Sequence, residues 1–384
     1  MLLSNINKQL PDLQKSLANL PAVNYIDPLW NMMRRLLLAH APSSGANLLG
    51  GIGDDIAVLA DDLGLRERVI AHLGSTGNTG IWLGANKEIV DVIVVAHMDR
   101  PSFRVKDVGN GTLYPICANR FPAGDYSAPA KAVRFARGRL VVSAEGMLYS
   151  QKSETDENVR FETRRGALDW HDTVMLDINP VSDGDMVIGT GLDNCLGVTM
   201  ALLTATVLFA SEAVLREREK RCLFVFTDQE EGNPASFFGH GAARLSYALR
   251  PPTYGCIVVD AQNAEQPPDL DRGVCHATAS RWGQGSVVPP NYQALAHDLA
   301  GELNGIRPGT VQMNNGYVSR SDDVALGRWA RILALTGPPM TGAHTAQEIA
   351  HLSDIQNGVW WLAHYLAVTL NLVPALTPHY ALGQ

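Results

Sequence analysis

Four runs of this chain are apolar at nearly every position, and each leads to a residue that can bind a metal. DVIVVAHMD (91–99) ends in His97 and Asp99, CLFVFTDQEE (222–231) in Glu230 and Glu231, and CIVVD (256–260) in Asp260. The fourth run, ILALTGPPMTGAH (332–344), passes through a turn to His344. Unbroken apolar runs of this length predict strands buried on both faces, as in a mainly parallel sheet. Apolar positions at helical spacing predict a helix over 29–41, stopped by Pro42, a strongly apolar helix over 192–210, and a long final helix over 349–370. The stretch 52–99 reads as short β-rich runs (VIAHLGS, GIWLGA and then the first strand). From Arg104 to about residue 185 the texture changes to short alternating runs separated by Gly, Pro, Asn and Asp, with no ten-residue helical pattern. The expected fold is α/β, with a mixed, mainly parallel sheet flanked by helices. Its catalytic domain would be discontinuous (1–104 and 183–384), with a small all-β barrel inserted at 105–182.

Composition narrows the function classes. The 384 residues are 46% hydrophobic and 18% charged, enough apolar content for one large domain or two smaller ones. The formal net charge is −8 and no basic run occurs, which argues against nucleic acid or an anionic membrane as partner. The longest apolar stretch, around 198–210, reads as too short to span a bilayer, and the start, MLLSNINKQLPDLQK, has no signal-peptide pattern. The five cysteines (Cys117, Cys195, Cys222, Cys256, Cys275) are scattered and form no Cys-x-x-Cys pair. A cytoplasmic protein with reduced, buried thiols is the expectation.

Parallel strands deliver their carboxyl ends to one crevice, so the residues that end the four runs are expected to meet. His97 and Asp99 are two apart and share a face, and Asp99 could orient the imidazole. Asp193, in GTGLDNCLG before the apolar helix, has a plainer reading as a helix N-cap, but a carboxylate there can also bridge two cations, with Asn194 taking over the cap. Glu230 and Glu231 point different ways at a strand end, so one can hold a metal while the other works as a general base. Each residue has an ordinary alternative: a sheet-edge His97, a solvated acidic loop at Glu230 and Glu231, a turn at Asp260, a loop histidine at His344 beside a capping Thr345. All of these would have to coincide at one end of the sheet. Two imidazoles and three carboxylates (His97, Asp193, Glu231, Asp260, His344) without a thiolate suit zinc first, and also cobalt or manganese. Three carboxylates carry about −3, which two divalent cations and one hydroxide would balance.

The segments VVAHMD, GTGLDN, TDQEEG, VVD and GAHT, in this order, resemble the di-zinc metallopeptidases of the tetrahedral aminopeptidase and glutamyl aminopeptidase type. That resemblance implies an α/β aminopeptidase domain interrupted by a β-barrel between His97 and Asp193. It implies that Asp193 bridges two metals, that Glu231 and His344 complete one site, and that His97 and Asp260 complete the other. Glu230 would be the general base, Asp99 the partner that orients His97, and Ser321 with Asp322 a substrate-binding segment. It also implies a peptide substrate and a homo-oligomer built from dimers, up to a dodecamer. The sequence departs from the family pattern at Arg100 and Pro101, at Asn194 and Cys195, and in the loop after Glu231, GNPASFFGHGAARL. Two other functions stay open: a cellulase-like glycosidase, and an inactive metal-binding oligomeric protein.

Overall fold

The computed structural model describes residues 2–116, 121–153, 157–232, 238–264 and 269–382. The chain enters a large sheet through β1 (Val69–Ile70), β2 (Thr79–Gly84) and β3 (Val92–His97). It leaves that sheet for β4 (Phe103–Asp107), β5 (Thr112–Pro115), β6 (Gly124–Ala136), β7 (Arg139–Lys152), β8 (Glu157–Gly166) and β9 (Thr173–Leu176). These six strands close into a barrel in the order β4-β5-β8-β7-β6-β9. The barrel fills its own small core with Phe103, Leu113, Leu148, Phe161 and Val174.

A hairpin of β10 (Val181–Asp183) and β11 (Met186–Gly189) then leads to the helix Leu192–Phe209. The rest of the chain supplies β12 (Arg221–Thr227), β13 (Gly255–Val259), β14 (Gln262–Asn263), β15 (Val274–Ala277), β16 (Val311–Met313), β17 (Ile332–Gly337), β18 (Pro339–Thr341) and β19 (Glu348–His351). The large sheet runs β1-β2-β12-β3-β13-β17-β15-β16, with the four central strands β12, β3, β13 and β17 mutually parallel. Every residue of β3, β13 and β17 is buried, as is all of β12 after Arg221. Burial on both faces is what apolar runs without alternation demand. Phe224 and Phe226, both 0% exposed, each contribute roughly 2 kcal/mol from removal of ring surface from water.

The helix Leu192–Phe209 packs on this sheet and against the final helix, Leu352–Thr369. Among the described residues it is the one helix long and apolar enough to cross a membrane, yet 83% of it is buried inside the protein, as in a core helix. A second sheet, β10-β11-β19-β18-β14, lies where the chain continues beyond β13 and β17. Gly337 permits that continuation: a Cβ there would lie 1.8 Å from the Asp260 carbonyl oxygen.

Some elements differ from the sequence reading. The first expected helix lies at Ile26–Leu38 and follows three short helices, Leu2–Gln9, Pro11–Asn19 and Pro21–Asn24. The last two start on a proline, whose fixed φ and missing N–H suit a first helical turn. The stretch 52–99, read as β-rich, opens with a helix, Ile52–Asp62, which buries Ile52, Ile56, Leu59 and Ala60 at helical spacing. The final helix starts at Leu352, because Glu348–His351 pairs with β11 as a strand. Thr345 therefore caps a turn at Gly342, and not the helix. Cys195, Cys222, Cys256 and Cys275 are free and buried, and Cys117 lies outside the described residues.

Candidate metal centre

Parallel pairing sets His97 level with Thr227, and β13 is in register with β3, so His97, the Glu pair and Asp260 leave the sheet at one end. Gln229 turns the chain there with φ 62°, a left-handed conformation rare for a residue with a side chain. His344 is placed differently from the other three. It sits in the β18–β19 hairpin of the second sheet, also left-handed at φ 63°. Asp193 follows β11 of the same sheet. The second sheet therefore brings two of the expected groups to the three that the large sheet supplies.

These side chains converge. His97 Nε2 lies 3.1 Å from Asp193 Oδ1 and 3.3 Å from Asp260 Oδ1. His344 Nε2 lies 3.3 Å from Asp193 Oδ2 and 3.1 Å from Glu231 Oε1. Asp193 thus presents one oxygen to each imidazole. Asn194 takes the capping role: its Oδ1 accepts the Gly197 N–H at 2.9 Å, while its Nδ2 donates to the Val259 carbonyl at 2.8 Å. Glu230 Oε2 stands farther back, 3.9 Å from His97 Nε2. The donor atoms of His97, Glu230 and Asp260 fall within 4.8 Å of one another, as do those of His97, Asp193 and Glu231.

Asp99 is fully buried and holds the Glu pair in place. Its Oδ1 accepts the Glu230 N–H at 3.0 Å and its Oδ2 the Glu231 N–H at 3.3 Å. Its carboxylate is 3.7 Å from His97 Nδ1, whereas its backbone carbonyl is at 3.2 Å. The carbonyl is therefore the nearer group to fix the imidazole, and the carboxylate chiefly orders Glu230 and Glu231.

Charge at this end of the sheet is far out of balance. Burial disfavours the charged form of His97, but Glu230 and Asp260 outweigh it and hold its pKa well above the ordinary value. Burial likewise opposes charge on His344, and Glu231 with Asp193 overcomes it. Burial raises the pKa of Glu230 well above the carboxylate range, against the lowering effect of His97 and with the help of Glu231 and Asp260. Asp260 is raised by burial and by Asp193. Burial works to raise Asp193 as well, but the hydrogen bonds from His344 and His97 prevail and leave it below the usual range. Asp260 Oδ1 and Glu231 Oε1 are buried, and neither receives a hydrogen bond in bonding geometry. Orphaned carboxylate oxygens facing imidazole nitrogens, with no thiolate among them, fit divalent cations.

No family model matches the chain, and no curated protein matches its sequence. Solved structures match over most of its length. A TET aminopeptidase from the marine sediment archaeon Thaumarchaeota archaeon SCGC AB-539-E09 is 14% identical and covers 91% of this chain and 99% of its own, with a TM-score of 0.70. The Pyrococcus horikoshii TET1 peptidase, described as assembling into a tetrahedron or a large octahedral shell, is 16% identical over 87% of this chain and 98% of its own, with a TM-score of 0.64. This chain has the tetrahedral aminopeptidase fold. A Thermotoga maritima structure named endoglucanase shares it, at 18% identity over 89% and 98% of the two chains and a TM-score of 0.61.

Within this aminopeptidase-type fold, Ser321 and Asp322 stand behind the centre. Each is 1% exposed; Ser321 hydrogen-bonds Asp260, and Asp322 Oδ2 accepts the Thr227 hydroxyl proton. Their contacts are with the residues that hold the centre, and the neighbouring Val318, Ser319 and Arg320 line its cavity of about 350 Å³. Phe238, Arg281 and Trp282 line it too. Sequence reasoning missed these wall residues, since they come from loops that follow no hydrophobic period. Arg100 is buried against the end of the Ile26–Leu38 helix, donating to the Leu36 carbonyl at 2.6 Å and the Leu37 carbonyl at 2.9 Å. Its guanidinium crosses Gly191, where a Cβ would lie 2.2 Å from Nε; the departure at position 100 thus packs under the turn that carries Asp193. Of the loop after Glu231, residues 233–237 lie outside those described.

Proposed function

We propose that this protein is a two-metal aminopeptidase that hydrolyses the first peptide bond of a peptide. The observation that carries the reading is the split of Asp193 between two imidazoles, each beside a buried carboxylate oxygen that lacks a hydrogen bond. His97 and Asp260 would hold one cation, His344 and Glu231 the other, and Asp193 both. When bound, such cations, zinc first and cobalt or manganese also fitting, acidify water and polarise the scissile carbonyl. Glu231 belongs with the ligands because His344 is 3.1 Å away, while Glu230 stands 3.9 Å from its nearest imidazole. Glu230 takes the proton of the attacking water and passes it to the departing amine. Asp99 keeps Glu230 aimed through the backbone N–H.

The same reading divides the chain into a catalytic unit, 1–104 and 183–384, and an inserted barrel at 105–182. It includes a dimer-based homo-oligomer, up to a dodecamer, in line with the assemblies named for structures of this fold, and a cytoplasmic location in line with the free buried thiols.

The test is chelation followed by metal add-back, on a panel of aminoacyl anilides and N-blocked peptides. Cleavage of free-amine substrates that is lost with chelator and restored by zinc, cobalt or manganese supports the proposal. Cellulose hydrolysis that survives chelator would favour the glycosidase named for one structure of this fold. Metal uptake with no cleavage would favour a non-catalytic protein. In the Asp193→Ala variant both metals should be lost together; two metals retained per chain would remove the bridging role.

A further inference from the structure

We infer that the barrel takes part in the metal centre, and that Tyr126 is the residue through which it positions His344. This rests on the two-metal reading and adds a positioning residue to it. The two imidazoles are held in unlike ways. His97 ends a central strand that is buried along its whole length. His344 sits in the β18–β19 turn at a φ of 63°, which costs energy for a residue with a side chain and persists where surrounding contacts enforce it. The backbone N–H groups of that turn supply such contacts. The His344 N–H donates to Glu348 Oε1 at 2.9 Å, the Thr345 N–H to the Gly342 carbonyl at 3.2 Å, and the Gln347 N–H to Thr345 Oγ1 at 3.1 Å. The Ala346 N–H instead leaves the hairpin. It donates to the Tyr126 hydroxyl at 3.0 Å, across 220 residues of chain.

Tyr126 is itself anchored. Its ring stacks on Phe121, with 4.5 Å between centres and 21° between planes. Phe121 stacks in turn on Phe103, 6.2 Å away, and both belong to the barrel core. Phe103 opens β4, the strand that the chain enters from His97. The barrel is thus tied to both imidazoles, to His97 by a short covalent link and to His344 by the Tyr126 hydrogen bond. Strand β9 adds a second contact, since Met175 and Leu176 line a small cavity together with His344, Thr345 and Glu348. A phenol on a stacked ring has little conformational freedom left to lose, so its hydroxyl is a well-placed acceptor. Removing that hydroxyl leaves the half-buried Ala346 N–H without this acceptor and loosens the turn. His344 Nε2 then loses its alignment with Asp193 Oδ2 and Glu231 Oε1, which lie 3.3 and 3.1 Å away. The pair of His97 and Asp260, built on the large sheet, does not depend on the turn.

The experiment measures zinc affinity site by site, by titration against a competing chelator. It compares wild type, Tyr126→Phe, His344→Ala, Asp260→Ala, and the double variants that add Tyr126→Phe to each of the last two. Tyr126→Phe keeps the stacked ring and removes the hydroxyl. It should weaken one site by about three- to tenfold and leave the other unchanged. The same loss should appear where Asp260→Ala has disabled the His97 site, and should vanish where His344→Ala has disabled the other. With cobalt in place of zinc, the absorption spectrum of the Asp260→Ala protein should change when Tyr126→Phe is added. The difference between the sites is the readout because a folding defect weakens both alike. An equal loss at both sites, a loss that persists beside His344→Ala, or no loss at all overturns the inference. If wild type binds no zinc, cobalt or manganese, the two-metal reading fails and the inference falls with it. If metals bind but no free-amine substrate is cleaved, the aminopeptidase reading fails by itself, and the affinities still decide the role of Tyr126.

Discussion

At the scale of single residues, adjacent carboxylates face different surroundings, and the proposed function gives them separate jobs. Glu231 is aimed at His344 and Glu230 at the space beside His97, and Asp99 fixes both through their N–H groups. Glu230→Gln keeps the shape and removes the proposed proton acceptor. Its kcat should fall by about 10²–10⁴-fold with metal content unchanged, measured by steady-state assay and elemental analysis. Near wild-type turnover would end the assignment of Glu230 as base. A second residue shows the cost of a buried charge without a partner. His276, in β15, has neither ring nitrogen hydrogen-bonded and packs edge-on against Trp361, with ring centres 5.2 Å apart. Burial lowers its pKa to about 4 from the ordinary 6.5. Between those values the unfolded chain binds the proton and the folded one does not, so stability falls as pH drops through 6.5 and levels off below 4. From pH 7 to pH 4, wild type should lose roughly 3 kcal/mol more than His276→Leu in urea unfolding. Parallel pH profiles for the two proteins would contradict this.

At the scale of elements, the β18–β19 hairpin and the turn after β11 are held together by one side chain. Glu348 is 1% exposed; its Oε2 accepts the Leu192 N–H at 2.6 Å and its Oε1 the His344 N–H at 2.9 Å. It therefore sets the spacing between the segment of Asp193 and the segment of His344. Burial, with Asp193 adding to it, raises its pKa to about 8. Glu348→Ala should free both segments and weaken metal binding about 10–100-fold, read by titration with a competing chelator. An unchanged affinity would mean that the two sheets alone hold the spacing.

At the scale of the whole molecule, the centre lies where two sheets meet. Ions that bind only this folded arrangement stabilise it by mass action. They would also offset the carboxylate surplus that holds His97 and His344 well above their usual pKa. Chelation should therefore lower the thermal midpoint, by several degrees for about 3 kcal/mol of lost binding energy at ligand well above Kd, and zinc should restore it. Calorimetry with and without chelator checks this, and an unmoved midpoint would count against tight binding in the native state.

Strand runs and their polar ends are local facts, and the sequence carried them. Full burial of DVIVVAHMD, CLFVFT, CIVVD and ILALTG follows from apolar continuity, and so does the arrival of His97, Glu230, Glu231 and Asp260 at one end of a parallel sheet. The alternating texture after Arg104 pointed to an all-β module in the same way, and the structure closes it into a barrel. The helix Ile52–Asp62 has helical apolar spacing of its own, but it is short and runs into strand-forming segments, so the stretch 52–99 taken together shows a β-rich texture. What the sequence could not hold was anything set by contacts between distant segments. Nothing local says that residues 348–351 pair with β11, or that one oxygen of Asp193 meets an imidazole from 96 residues earlier and the other an imidazole from the second sheet. Nothing local turns Arg281 and Arg320 toward the same cavity. Hydrophobic period determines which face of an element is buried. Only tertiary packing decides which polar groups that burial brings together, and their chemistry depends on it.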